Sequence, residues 1–143
     1  MAKVRIRVTR QNSKYKEAIK GYEDKARRVV AYGLNEVRDI AVKGIAGGNK
    51  SGITYTRRGV SHTASAAGEY PAGDTGVLQN NIFTDVDSNG LGGSVESRAQ
   101  YSEFLEFGHR ARDVTFVEAR PFMQPSAEQA RPRIRRRLKE IFR

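Results

Sequence analysis

The sequence predicts an α+β fold in which a long N-terminal helix and a basic C-terminal helix pack on a small, mostly antiparallel sheet. Three observations support this fold class. Apolar residues alternate with polar ones over residues 3–9, they recur at three- and four-residue steps over residues 14–45, and an Asn89-Gly90 pair separates two short extended runs. These patterns are typical of a half-buried strand, an amphipathic helix and a β-hairpin.

The composition bounds the domain organisation and the class of protein. A length of 143 residues suits a single domain, which we place at residues 1–143, with an extended arm or loop at residues 47–73. The chain contains no cysteine, which excludes disulfides, thiolate catalysis and cysteine zinc sites. Because no apolar run is long enough for a signal peptide or a membrane helix, we expect a soluble, cytoplasmic product with no membrane partner. The formal net charge of +10 favours binding to nucleic acid or to acidic protein surfaces.

The first strand and the long helix follow from apolar periodicity. Val4, Ile6 and Val8 fall on one face of the strand at residues 3–9. Asn12 or Ser13 can cap the helix, which we place at residues 14–45, and a glycine near its middle, at position 33, favours a kink or break. Its apolar stripe, about 45 Å long, is either the core face of the subunit or, in part, a subunit contact. The stripe consists of Tyr15, Ile19, Tyr22, Ala26, Val29, Val30, Val37, Ile40, Ala41 and Ile45.

Residues 47–73 are rich in Gly, Ser, Thr and Ala and poor in large apolar side chains. Loops of this length are uncommon in a small domain unless they are functional or disordered. We expect one short strand at residues 53–55 and an arm that becomes ordered against another subunit. Its candidate assembly residues are Tyr55, Arg57, Arg58, His62, Glu69 and Tyr70.

The second half begins with a short helix and a hairpin. Asp74 and Thr75 indicate the start of a helix whose buried side holds Val77, Leu78 and Ile82. The Asn-Gly pair at 89–90 then predicts a hairpin that extends the sheet, since both residue types tolerate positive φ.

A helical turn and an extended segment follow the hairpin. Residues 99–107 predict a helical turn that buries Tyr101, Phe104 and Leu105, with Phe107 as a further candidate, and Gly108 ends it. An extended segment is expected around residues 114–117.

The last helix is expected from Gln124 or Pro125 onward, with Pro132 kinking it or shifting its start. Its apolar side holds Ile134, Leu138, Ile141 and Phe142. The number of basic residues exceeds what solubility needs, so we favour contact with DNA or with an acidic neighbouring protein over a solvated face. No base-reading motif accompanies the charge. The basic residues are Arg131, Arg133, Arg135, Arg136, Arg137 and Lys139.

Three motifs, taken in order, resemble the tail-completion or minor tail protein family of long-tailed double-stranded DNA phages and prophages. They are HTASAAGEYPAGDTGVLQNNI at residues 62–82, YSEFLEFGH at 101–109 and ARPFMQPS at 119–126. Each motif alone is common, whereas all three in this order are specific. The chain departs from the family pattern at Ala67, at residues 79–81 and at His109.

The resemblance implies a structural protein of the virion. Such a subunit lies at the head–tail junction, assembles into a ring around the DNA channel, expected to be sixfold, and completes or caps the tail after assembly in the host cytoplasm. Its implied partners are further copies of itself, neighbouring neck, tail-terminator or tail-tube proteins, and passing double-stranded DNA without sequence preference. The alternatives are a tail terminator in the same region or a free basic nucleic-acid-binding protein.

The subunit interface is expected at the two corners around the second and third motifs. Glu106 is interpreted as pairing with Arg120, as pairing with an arginine of a neighbouring subunit, or as a solvated carboxylate. Phe122 is expected to fill a pocket as part of a docking element, with Pro121 holding Arg120 extended. The candidate interface residues are Phe104, Glu106, Phe107, Gly108, Arg120, Pro121 and Phe122.

An enzyme is the third class considered, and we expect none. His62, Glu69 and Asp74 form the one set that suggests a nuclease-like cluster, but we do not expect the arm that carries His62 and Glu69 to be rigid enough to preorganise chemistry. Neither His62 nor His109 has the spacing of a metal site, and no serine lies in a nucleophile motif. The sequence therefore predicts no catalytic residues, no metal and no cofactor.

Overall fold

The computed structural model describes residues 2–7, 16–141 and 143, without the side chains of residues 16–20. These ranges contain four helices and seven short strands, and the α+β class is confirmed. The predictions for Val8, Asn12, Ser13, Tyr15 and Phe142 and for the side chain of Ile19 lie outside the described residues. In chain order the elements are β1 (Lys3–Arg7), α1 (Lys16–Ala46), β2 (Thr54–Arg57), β3 (Val60–Thr63), α2 (Val77–Asn80), β4 (Ile82–Val86), β5 (Gly92–Ser97), α3 (Ser102–Phe107), β6 (His109–Arg110), β7 (Phe116–Val117) and α4 (Met123–Ile141).

The main sheet has three antiparallel strands in the order β1-β5-β4, with Val4 opposite Val95 and Val95 opposite Thr84. The predicted hairpin is confirmed, and of its two turn residues Asn89 and Gly90 only Gly90 adopts a positive φ, of 71°. The loop is longer than a two-residue turn and is closed by the Asp87 N–H, which donates to the Gly92 carbonyl at 2.9 Å. Asn89 instead accepts from the Leu91 N–H through its side chain at 2.8 Å.

Helix α1 is unbroken at Gly33, so the predicted break is wrong. A Cβ at this position would lie 3.2 Å from the side chain of Ile134, which shows that glycine permits close approach of α4. The stripe is buried within the subunit from Val29 to Ile45, whereas Tyr22 stays 43% exposed. Leu34, which the predicted stripe omitted, is among the most buried residues.

Helix α4 packs along α1 and completes the core. Its start at Met123 shows that Pro132 does not shift the helix start, since the proline lies inside the helix. Phe122, Met123 and Ala130 are at most 1% exposed and share one cluster with the buried side of α1. The core therefore lies between the two long helices and the inner face of the sheet.

Residues 47–73 fold against their own subunit, contrary to the expected arm ordered by another one. β2 and β3 form a hairpin around Arg58 and Gly59, whose φ values are 52° and 77°. The chain then returns to the core, where the ring of Tyr70 lies so close to α1 that a Cβ on Gly44 would be 2.3 Å from it. The Tyr70 hydroxyl lies 3.0 Å from Ser126 Oγ on α4. All four residues of β2 are exposed.

Candidate assembly surface

Glu106 joins α3 to the start of α4. Its carboxylate accepts hydrogen bonds from the backbone N–H groups of Phe122 at 2.9 Å, Met123 at 3.0 Å and Gln124 at 2.9 Å. These donors have no partner within α4, because the first N–H groups of a helix lack a preceding turn, and the helix dipole favours a negative charge there. The predicted pairing with Arg120 and the solvated alternative are both wrong, since Glu106 is 8% exposed and its oxygens face these amides. Its pairing with an arginine of a neighbouring subunit stays a prediction.

Arg120 joins the segment before α4 to the segment of the arm that follows β3. Its Nε donates to the Ser65 carbonyl at 3.0 Å, and its Nη1 donates to the Glu118 carbonyl at 3.1 Å. Its backbone N–H donates to the Leu105 carbonyl at 2.7 Å. Next to it Pro121 is half-buried and Phe122 is fully buried in the core of its own subunit. The expectation that Phe122 docks into another subunit is therefore wrong.

Two phenylalanines of α3 face away from the core. Phe104 is 54% exposed and Phe107 is 71% exposed, so the prediction that they are buried is wrong. The reason lies in helical spacing: the buried positions of α3 are Ser102 and Glu106, one turn apart, which leaves positions 104 and 107 on the opposite side. The aromatic residues are thus held on a firmly anchored helix while their rings meet solvent.

The β6–β7 hairpin adds a third exposed ring to this surface. Gly108 ends α3 with φ 73° and ψ 170°, and a Cβ there would lie 3.1 Å from Phe116, which is 61% exposed. The ring of Phe104 lies 4.9 Å from the ring of His109. We call Phe104, Phe107 and Phe116 the aromatic corner. Sequence reasoning missed Phe116, because strands of two residues leave no periodic signal.

Val114 at the tip of the same hairpin has a φ of 71° and is 69% exposed. A β-branched residue rarely adopts this left-handed conformation, because its Cβ crowds the carbonyl oxygen. Strained residues of this kind are concentrated at functional sites. The tip is therefore a strained apolar projection beside the aromatic corner.

Asp74 contacts the β2–β3 hairpin, which we call the arm hairpin. Its carboxylate accepts from Arg57 Nη1 at 2.8 Å and lies 3.1 Å from His62 Nδ1, so it contacts both strands. The prediction that Asp74 begins a helix is wrong, since α2 follows Gly76 and the Asp74 side chain is engaged with the hairpin. Val77, predicted to be buried, is 45% exposed, whereas Leu78 and Ile82 are buried.

A groove of about 370 Å³ lies between the arm hairpin, α2 and α3. It is lined in part by Tyr55, Tyr101, Leu105 and Arg120.

Glu69 has a role inside the arm. It accepts from the Ser51 hydroxyl at 2.5 Å and from the N–H groups of Ser51 at 3.1 Å and Ala66 at 2.8 Å. These hydrogen bonds, that of the Ser51 hydroxyl first, lower the pKa of Glu69. Nearby, partial burial lowers the pKa of Lys50, whose ammonium donates to the carbonyls of Gly44 and Tyr70. Within the described ranges, no three His, Asp or Glu side chains are grouped so as to hold a metal ion.

The six basic residues of α4 are all exposed, but they divide into two groups. Arg133 forms an ion pair with Glu36 of α1, and Arg137 lies over the ring of Tyr32, with its guanidinium carbon 5.0 Å from the ring centroid. The remaining four pair with no carboxylate of a described residue. We call this second group the free basic face; it consists of Arg131, Arg135, Arg136 and Lys139.

Comparison with known proteins adds no relative to this description. No protein-family model, curated protein or solved structure matches the chain. In the part of the chain that the structure describes, no helix combines the length and the apolar character needed to cross a membrane.

Proposed function

We propose that this protein is a structural subunit of the head–tail junction of a long-tailed phage, where it assembles into a ring that completes or caps the tail. The aromatic corner is the observation that carries the proposal. Three phenylalanine rings, each more than half exposed, lie within one turn of helix and one adjoining hairpin. Exposed apolar patches rimmed by polar residues mark sites of protein association.

The anchoring of the corner supports an interface over a loose surface. Glu106 fixes α3 to α4, and Gly108, which has no Cβ, lets Phe116 approach the end of α3 closely. Little backbone ordering is therefore needed when a partner covers the rings. Aromatic residues on a rigid element are the usual anchors of protein interfaces. The three motifs at residues 62–82, 101–109 and 119–126 resemble those of phage tail-completion proteins, and this resemblance supports assembly in a phage tail.

The geometry also suggests how copies meet. The aromatic corner and the apolar side chains of the arm hairpin, Ile53 and Val60, belong to separate elements of one subunit. A contact between two different surfaces of identical subunits is heterologous, and such contacts close into rings when the rotation between subunits permits it. We therefore expect the corner of one copy to receive the hairpin of the next.

The test is the mass of the purified protein in solution, with electron micrographs of the particles. We expect a closed oligomer, a hexamer by the family resemblance, that binds to the ends of tail tubes. Phe107→Glu places a charge in the corner without touching the core and should yield a folded monomer. Val86→Glu, at a 48% exposed position on the edge strand β4, is the matched control and should still assemble.

Two results would count against the proposal. A wild-type protein that remains monomeric at high concentration, alone and with tail tubes, would exclude a ring subunit. Equal loss of assembly in the Phe107→Glu and Val86→Glu variants would show that the aromatic corner is not the contact.

A further inference from the structure

We infer that the free basic face of α4 binds the phosphate backbone of double-stranded DNA without reading its sequence. The face consists of Arg131, Arg135, Arg136 and Lys139, all exposed and all without a carboxylate partner among the described residues. Since a single subunit already presents this face, the inference does not depend on ring assembly.

The helix positions these cations as a row. Positions 131, 135 and 139 follow one another at four-residue steps, so their Cα atoms lie about 6 Å apart along one side of the helix. Arg136 lies beside them, on the side away from the buried Ala130 and Ile141. Arg133 and Arg137 are turned toward α1, where Glu36 and Tyr32 engage them. Only part of the basic charge of α4 is therefore available to a ligand.

The chemistry of the face favours DNA over an acidic protein. Residues 130–141, which carry the face, contain no aromatic anchor of the kind that lies at the centre of protein interfaces, whose cores are depleted of charge. Interfaces with DNA are instead strongly positive and polar. Arginine, which supplies three of the four cations, binds phosphate oxygens with two parallel N–H groups.

The same residues favour duplex DNA over the other nucleic acids. Single strands are held by aromatic side chains on which bases stack, and this face has none. Duplex RNA is recognised in part through its 2′-hydroxyl groups, for which neutral hydrogen-bonding side chains serve well. Residues 130–143 contain no Ser, Thr, Asn or Gln. Phosphate contact alone is thus the binding mode that these side chains support.

The experiment compares two double variants of equal net charge by fluorescence anisotropy with a labelled DNA duplex over a range of salt concentrations. Arg135→Gln with Lys139→Gln removes two charges from the free basic face. It should weaken binding about 60-fold at 0.1 M salt and reduce the salt slope by about 1.8, since each phosphate contact contributes about 0.9 to that slope. Arg133→Gln with Arg137→Gln removes two engaged charges and should leave the slope unchanged.

The folded state of each variant is checked by its melting curve, because Arg133 contacts α1. If the Arg133 and Arg137 variant does not fold, Arg28→Gln with Lys43→Gln on the exposed side of α1 replaces it as control.

The inference is overturned if both double variants weaken DNA binding equally, because binding would then depend on net charge and not on the free basic face. Tighter binding of single strands, of duplex RNA or of a polyglutamate peptide would overturn it as well. A DNA-binding monomer would support this inference while refuting the proposed ring, and a ring without DNA affinity would do the reverse.

Discussion

The carboxylate of Glu106 on α3 accepts the backbone N–H of Phe122 at 2.9 Å, although the two residues are separated by 16 positions in the chain. With the amides of Met123 and Gln124 it completes a cap at the N-terminus of α4. The bond joins the helix that bears the aromatic corner to the helix that forms the core and the basic face. Glu106, a charged residue of a type usually found on the surface, therefore connects the two helices that carry the candidate binding surfaces.

Glu106→Gln should destabilise the fold by about 1–3 kcal/mol, because the neutral amide accepts fewer hydrogen bonds and turns a donor toward the N–H groups of α4. Urea denaturation of the two proteins measures the difference. Glu118→Gln, at an exposed position in the segment before α4, is the matched control and should change stability little. An effect of Glu106→Gln no larger than that of the control would contradict the cap.

Phe122→Ala and Phe107→Ala should separate folding from assembly. The ring of Phe122 is 0% exposed, so its removal leaves a cavity and should cost about 3–5 kcal/mol. The ring of Phe107 is 71% exposed, so its removal should change the unfolding free energy by no more than about 0.5 kcal/mol while weakening self-association. Thermal melts and light scattering on both variants check the two effects. Similar stability losses would show that Phe107 is a core residue.

Gly44→Ala should destabilise the protein by about 1–3 kcal/mol, because its Cβ would lie 2.3 Å from the ring of Tyr70 and must displace it. Gly21→Ala in the same helix meets no atom within 4 Å and should instead stabilise α1 by about 0.5–1 kcal/mol. Denaturation midpoints of the two variants provide the comparison. If Gly44→Ala were also stabilising, the return segment of the arm would not pack on α1.

Glu69 should make the arm sensitive to acid. Its pKa is lowered below the ordinary value of 4.5 by the hydrogen bonds from Ser51 and Ala66. A carboxylate with a lowered folded pKa contributes stability above the unfolded pKa, and this contribution is lost as the pH falls from 4.5 through the lower folded value. The wild type should therefore melt at a higher temperature than Glu69→Gln at pH 7, and the difference should vanish in strong acid. A difference that does not change with pH would contradict the assignment.

Val114→Gly should relieve strain at the tip of the β6–β7 hairpin. Glycine accepts a φ of 71° without penalty, so we expect the unfolding free energy to stay constant or rise by up to about 1 kcal/mol. Val86→Gly, in an unstrained strand, should lower it. Chemical denaturation of both variants makes the comparison, and a clear loss in Val114→Gly would show that the valine side chain contributes more than its backbone costs.

The elements with strong local periodicity were predictable from the sequence. The alternation of Val4 and Ile6 predicted β1, the three- and four-residue steps predicted most of α1 and α4, and Asn89-Gly90 predicted the β4–β5 hairpin. Each of these signals comes from neighbours within a turn of helix or a single hairpin, where the backbone geometry alone relates side chains to one face.

Burial at the candidate site required the tertiary structure. Phe104, Phe107 and Phe122 look alike in sequence, yet only Phe122 lies in the core, since α3 turns Ser102 and Glu106 inward. Tyr70 likewise attaches residues 47–73 to the core, because its hydroxyl forms a hydrogen bond with Ser126, 56 positions away. The sequence by itself determined which segments become helices and strands, because those preferences are local. Only the tertiary structure decided which aromatic rings and which arginines remain free for a partner, because that depends on residues far apart in the chain.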